Sequence, residues 1–183
     1  MTVAGKIEST IAVPEGVHVS MKDSTIRVKG PKGELSRNFT HPTVSVVAEK
    51  DSVVVGCEYP NIREKAMVGT FCAHVRNMIR GVTEGYTYTL KIVFSHFPMK
   101  AAVKGNKIEI SNYMGGHSLR YADIISGCKV KISGSDVTVE GCDIEAVGQT
   151  SANLERATSR RGFDKRVFQD GIYIVHKSHK VKE

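Results

Sequence analysis

The sequence predicts an α+β protein of two similar domains, each a small, mostly antiparallel sheet with one helix packed on one face. One observation is a duplicated pattern of residues that recurs at a near-constant offset along the chain. The other lies inside each copy, where an alternating hydrophobic pattern gives way, after a Gly-Cys pair, to apolar residues every three to four positions.

The elements follow in order. Val17 to Val28 alternates around a turn at Lys22-Asp23-Ser24 and runs into Lys29-Gly-Pro-Lys-Gly-Glu-Leu-Ser-Arg37. Val44 to Val55 alternates around an Asp-Ser turn and ends in Gly56-Cys57. From Asn61, placed to cap a helix, Met67, Phe71, Val75 and Met78 mark one face, and Gly81 is expected to close it. Tyr86 to Phe94 alternates as a strand entering the second copy. Ala102 to Ile110 then alternates around Lys104-Gly105-Asn106 and leads to Met114-Gly-Gly-His-Ser-Leu-Arg120. Val130 to Val139 matches the earlier hairpin and ends in Gly141-Cys142. A second helix presents Ile144, Val147, Ser151 and Leu154 on one face, with Asp143 as its cap and Gly162 in the position after its end. The expected domains are residues 1–82, residues 83–175, and a basic tail at 176–183.

Composition narrows the function. The 183 residues are 40% apolar and 25% charged, as in ordinary globular chains. No apolar run approaches the roughly 20 residues of a membrane span, and the first residues lack the apolar core of a secretory signal, so neither membrane nor export is expected. Cys57, Cys72, Cys128 and Cys142 are spread singly, which suits small, reduced, mostly buried residues rather than a metal site. The chain contains no phosphate-binding G-x-x-x-x-G-K-[ST], no G-x-S-x-G, no H-E-x-x-H and no G-x-G-x-x-G, so no catalysis and no cofactor are expected.

The formal net charge is +7, and its distribution is uneven. Residues 83–150 carry 7 basic and 7 acidic side chains, whereas residues 151–183 carry 8 and 4. Positive charge gathered at one end suits a polyanionic partner such as nucleic acid. Within 149–175, Arg156 and Arg160 stand four residues apart, which on one helical face lets two guanidinium groups straddle a phosphate backbone. Gln149, Thr150, Ser151, Asn153, Thr158 and Ser159 add donors nearby. Phe163, Phe168 and Tyr173 interleave with Lys165 and Arg166, a pattern compatible with base stacking but read here as anchoring the C-terminal extension to the sheet. Two glycine-containing loops, Gly30-Pro31-Lys32-Gly33 and Gly115-Gly116, could cradle phosphates; both are read as turns, since they hold the same place in the two repeats.

The segments "VKGPKGEL" and "RRGFDKRVFQDGIYIV", together with the duplicated unit, resemble the large-ribosomal-subunit protein six family in bacterial numbering, protein nine in eukaryotic cytosolic ribosomes. The "DKRVFQDGIYIV" stretch is similar to the archaeal–eukaryotic branch, and the bacterial Pro-Tyr-Lys-Gly-Lys-Gly motif is absent. Where eukaryotic members carry a Leu-Gly-Glu-Lys type loop, this chain has Met114-Gly-Gly-His-Ser. The resemblance implies two similar domains, no catalysis, and a cytoplasmic ribosomal protein bound to large-subunit rRNA near the sarcin–ricin region. Neighbouring large-subunit proteins would be partners, and translational GTPases would dock nearby. Matched position by position, it implies RNA contact by Gln149, Thr150, Asn153, Arg156, Arg160, Arg161, Lys165 and Arg166, and by the tail lysines Lys177, Lys180 and Lys182. The rivals are a nucleic-acid-modifying enzyme, for which no clustered catalytic groups appear, and a non-ribosomal nucleic-acid-binding adaptor.

Overall fold

The computed structural model describes residues 5–49, 52–95, 97–160, 162–164 and 166–177. The chain divides into two compact units, Met1–Gly85 and Tyr86–Glu183. Unit 1 contains strands β1 (Lys6–Ala12), β2 (His18–Lys22), β3 (Thr25–Gly30), β4 (Gly33–Asn38), β5 (Val44–Ala48) and β6 (Ser52–Glu58), then helix α1 (Ile62–Thr83). Unit 2 contains β7 (Tyr86–Val93), β8 (Lys100–Lys104), β9 (Lys107–Ser111), a short 3-10 turn (Tyr113–Gly115), β10 (Arg120–Asp123), β11 (Cys128–Ser133), β12 (Asp136–Gly141), α2 (Ile144–Ala157) and β13 (Gly171–Lys177).

The α+β class and the one helix per unit hold, with a refinement. Where one small sheet per domain was expected, the strands of each unit divide between two. In unit 1 the orders are β1-β6-β5 and β2-β3-β4; in unit 2 they are β8-β9-β10 and β11-β12-β7-β13. Every pairing is antiparallel. The unit-2 sheets repeat those of unit 1 strand for strand, and β13 is an addition on the free edge of β7. The division has a packing reason. Ile26 and Val28 on β3, and Val53 and Val55 on β6, are fully buried. Both sets pack on α1, which touches β1, β5 and β6 of one sheet and β3 and β4 of the other. At 22 residues, α1 is about 33 Å long, enough to serve both.

Local chemistry sets the boundaries. Asp23 and Ser24 both take positive φ, +53° and +75°, between the paired Lys22 and Thr25, the backbone that a tight hairpin with right-handed strand twist requires. Helix α1 begins after Asn61, whose N–H donates to Glu64 Oε2 at 2.7 Å, while Thr43 donates its hydroxyl to Glu64 Oε1 at 2.9 Å. The helix does not stop at Gly81, which is buried inside it; Gly85, at φ +75°, turns the chain out, with Glu84 N–H on Arg80 O. Likewise α2 ends at Ala157, so Gly162 lies beyond its C-terminal cap rather than in it.

The Gly30-Pro31-Lys32-Gly33 loop joins β3 to β4 and folds back on the end of α1. Lys32 N–H donates to Val82 O at 2.9 Å, and its ammonium donates to the Glu84 carbonyl. A cation on the last carbonyls of a helix is favourably placed against its macrodipole. The loop is a helix cap, and it demands close approach: a Cβ on Gly30 would lie 2.7 Å from Val82 Cγ2 and 2.9 Å from Val82 O. Gly30→Ala is therefore expected to cost roughly 1–3 kcal/mol, read by urea unfolding, because backbone as well as side chain must move. A variant as stable as the parent would contradict this packing.

The two hydrogen bonds to Glu64, first the one from Asn61 N–H and then the one from Thr43, hold its carboxyl below the ordinary carboxylate value. A depressed folded-state pKa stabilises the fold above the unfolded value and loses that contribution as pH falls through the folded one. Thermal melts are expected to separate the parent from Glu64→Gln near neutral pH and to converge as pH falls through the folded-state value, below the ordinary glutamate value of about 4.3. A gap that persists at acidic pH would contradict the assignment.

Candidate nucleic-acid interface

Helix α2 starts on Asp143, whose Oδ1 accepts the Glu145 N–H at 3.0 Å. It buries Ala146, Val147, Thr150, Ser151 and Leu154. Its end is built from three parts of the unit. Tyr113 donates its hydroxyl to Thr158 O at 2.7 Å, and Arg120 Nη1 donates to Ala157 O at 2.7 Å. The Thr158 hydroxyl accepts the Ile172 N–H of β13 at 2.9 Å and donates back toward Glu155 O at 3.2 Å. Arg120 also lies 4.3 Å over the Tyr113 ring. Tyr113 is buried and held by positive φ on both sides, +57° at Asn112 and +53° at Met114. Burial pushes its phenol up, opposed by the Arg120 charge, so the ring stays a neutral donor. The stretch containing Gly115-Gly116 is the long connection of the β9–β10 hairpin, with Gly115 at φ +72°, and it also swings Tyr113 inward to cap α2, as the β3–β4 loop caps α1.

Between α2 and β13 the chain is shaped by its two acids. Asp164 Oδ1 accepts the Arg166 N–H at 2.9 Å, and Asp170 Oδ1 accepts the Ser95 N–H at 2.8 Å. Phe163 and Phe168 meet edge to face at 5.1 Å, and Arg160 lies 4.2 Å over the Phe163 ring. Tyr173 donates its hydroxyl to Gln169 O at 3.1 Å. These rings brace the extension, yet Phe163 and Phe168 remain 39% and 46% exposed. Between the end of α2, the Tyr113 turn and this loop lies a cleft of about 260 Å³.

The sequence-expected residues divide. Gln149, Asn153 and Arg156 follow one helical stripe, i, i+4, i+7, on the outer side of α2. Gln149 Nε2 donates to Asn153 Oδ1 at 2.8 Å, and Asn153 Nδ2 donates to Asp123 O at 3.0 Å, which fixes both amides. Arg156, Arg160, Arg166 and Lys177 are exposed. Arg160 does not share a helical face with Arg156, because the helix has ended; the two instead line the same cleft. Thr150 is removed from the interface: it is fully buried, and its hydroxyl accepts the Ile125 N–H at 3.1 Å. Ser151 and Thr158, also counted as donors, are buried and bonded within the unit. Arg161, Lys165, Lys180 and Lys182 lie outside the described residues.

On the strands of unit 2 the lysines divide: Lys104 pairs with Glu109 at 2.8 Å, Lys107 with Asp123 at 3.4 Å and Lys131 with Glu140 at 3.2 Å, while Lys91, Lys100 and Lys129 form no ion pair among the described residues. Among the described residues, Arg156, Arg160 and Arg166 form no ion pair, and the nearby Asp164 and Asp170 are turned to backbone N–H groups.

Tyr113, Arg120 and the structural use of Thr158 carried no sequence signal, because each acts on a backbone group far along the chain. Thr158→Val is expected to cost about 1–3 kcal/mol in urea unfolding by orphaning the Ile172 N–H, and Thr158→Ser to recover most of it. Equal stability of the valine and serine variants would contradict the role given to this hydroxyl.

The sequence pattern of the family described as Ribosomal protein L6 matches residues 13–85. Relatives named large ribosomal subunit protein uL6 cover nearly the whole chain. That of Methanobrevibacter smithii is 46% identical over 177 residues, 97% of this chain and 99% of its own length. That of Ignicoccus hospitalis is 48% identical over 179 residues, 95% of this chain and 96% of its own length. That of Methanothrix thermoacetophila is 45% identical over 165 residues, 90% and 94% of the two chains. Identity at this level over such lengths makes the chain a member of the ribosomal protein L6, or uL6, family of the large ribosomal subunit.

Proposed function

We infer that the chain binds large-subunit rRNA through the outer stripe of α2 and the extension that follows it. The coarser part rests on family membership: this is a structural protein of the large ribosomal subunit and not an enzyme. The observation that supports the finer part is the gathering of exposed guanidinium groups without ion pairs at the end of α2 and in the segment after it. A cation that already has a carboxylate partner gains little from a phosphate, whereas the exposed, unpaired guanidinium groups of Arg156, Arg160 and Arg166 release counterions when they meet one. Gln149, Asn153 and Lys177 extend the contact along the helix and β13, and Arg161, Lys165, Lys180 and Lys182 extend it by sequence. Structured RNA is bound chiefly by backbone and shape, and arginine is suited to phosphate because its fork of donors engages two oxygens at once.

The place of contact, beside the sarcin–ricin region and the docking ground of translational GTPases, rests on the "DKRVFQDGIYIV" resemblance. Residence in the cytoplasm rests on the same family; no helix among the described residues is long and apolar enough to cross a membrane.

Salt titration of the full chain on a large-subunit rRNA transcript tests this reading. Replacing Arg156 and Arg166 together by Ala is expected to lower the slope of log K against log salt by roughly one to two, at about one unit per phosphate. A slope equal to the parent's would remove both residues from the interface.

A further inference from the structure

The cleft at the end of α2 is chemically unlike a phosphate site, although arginines stand at its mouth. It lies at the C-terminal end of α2, where the partial negative charge of the last carbonyls disfavours an anion. Glu155 lines it, and that side chain has no partner among the described residues. A free carboxylate repels phosphate and accepts hydrogen bonds from N–H donors. The wall is aromatic: Phe163 and Phe168 keep more than a third of their surface exposed, and Phe163 carries the Arg160 guanidinium at 4.2 Å. Flat apolar rings, a guanidinium plane and a carboxylate acceptor are together the complement of a planar, neutral group that stacks and donates.

We propose that this cleft receives one unstacked base of the bound rRNA, an inference that rests on the rRNA-binding reading above. The base stacks against the Phe163–Arg160 layer, with the edge of Phe168 beside it. Its amino or imino N–H points at Glu155. The phosphates on either side remain outside, where Arg156 reaches them. The volume of about 260 Å³ limits the guest to a single base and its sugar. The remainder of the contact reads shape; this pocket would supply the part that depends on a base being free of pairing.

Chemical probing of the full chain on a large-subunit rRNA transcript tests the proposal, with base-edge reagents for the pocket and hydroxyl radicals for the backbone. The expected result is an unpaired base that becomes protected at its edge when the parent chain binds. Phe163→Leu with Phe168→Leu should restore its reactivity and weaken binding about 5- to 100-fold, the range of one stacked base, with an unchanged salt slope. Glu155→Ala, at an exposed helix position, should remove the acceptor and restore reactivity at the same base while leaving the thermal melt unaltered. Backbone protection without any protected base edge, or a protected base indifferent to both variants, would overturn the pocket but leave the rRNA-binding reading standing. Absence of any footprint from the parent chain would overturn both.

Discussion

A helix that ends inside a protein leaves up to four carbonyl oxygens without intrahelical partners, and each is costly when water cannot reach it. At the end of α2 the carbonyls of Ala157 and Thr158 are taken by Arg120 and Tyr113, side chains from the preceding sheet and turn. The Thr158 hydroxyl then accepts the Ile172 N–H of β13. One set of bonds therefore joins β10, the Tyr113 turn, α2 and the C-terminal strand. Among the described residues, the arginines of this unit without an ion pair are carried from that junction, since Arg156 precedes it by half a turn and Arg160 follows it directly. Arg120 shows the distinction between the two uses of a cation: half-buried, stacked on Tyr113 and bound to a carbonyl, it is consumed by structure.

The same problem is solved in the same place in the other repeat. There the β3–β4 loop lays Lys32 on the carbonyls of Val82 and Glu84. The connection between the last two strands of the β2-β3-β4 sheet, and of its counterpart β8-β9-β10, caps the helix in each unit, once with a lysine on a tight turn and once with a tyrosine on a longer one, joined by the arginine that opens β10. This common duty explains why glycine-containing loops recur at equivalent positions without any need for a bound phosphate. It also shows where the repeats diverged: α2 is eight residues shorter than α1, 14 against 22, and the chain that follows it is free to form β13 and the aromatic loop.

Much of this was legible in the sequence because hydrophobic period reports burial directly. Strict alternation from Val44 to Val55 marks a hairpin with one face on a helix, and Met67, Phe71, Val75 and Met78 mark the opposing stripe. The second small sheet in each unit was not legible, because alternation says which face is buried and not which strands share an edge. Gly81 misled for a related reason: glycine punctuates a pattern, but only the backbone angle, realised at Gly85, tells a stop from a close-packed helical position; Gly162 does take a left-handed angle, but several residues after α2 has ended. At the site, the arginines were legible as charge. The hydroxyls were not, since Thr150, Ser151 and Thr158 read as surface donors by composition while their bonds to backbone let them be buried at little cost.

Cross-linking of protein to RNA in intact large ribosomal subunits, with the linked peptides identified by mass spectrometry, addresses the central claim most directly. Unpaired arginines held outward by the α2 junction should place the linked peptides in the segment from Gln149 to Lys177. Links gathered on the sheets of unit 1, with that segment clean, would contradict the account.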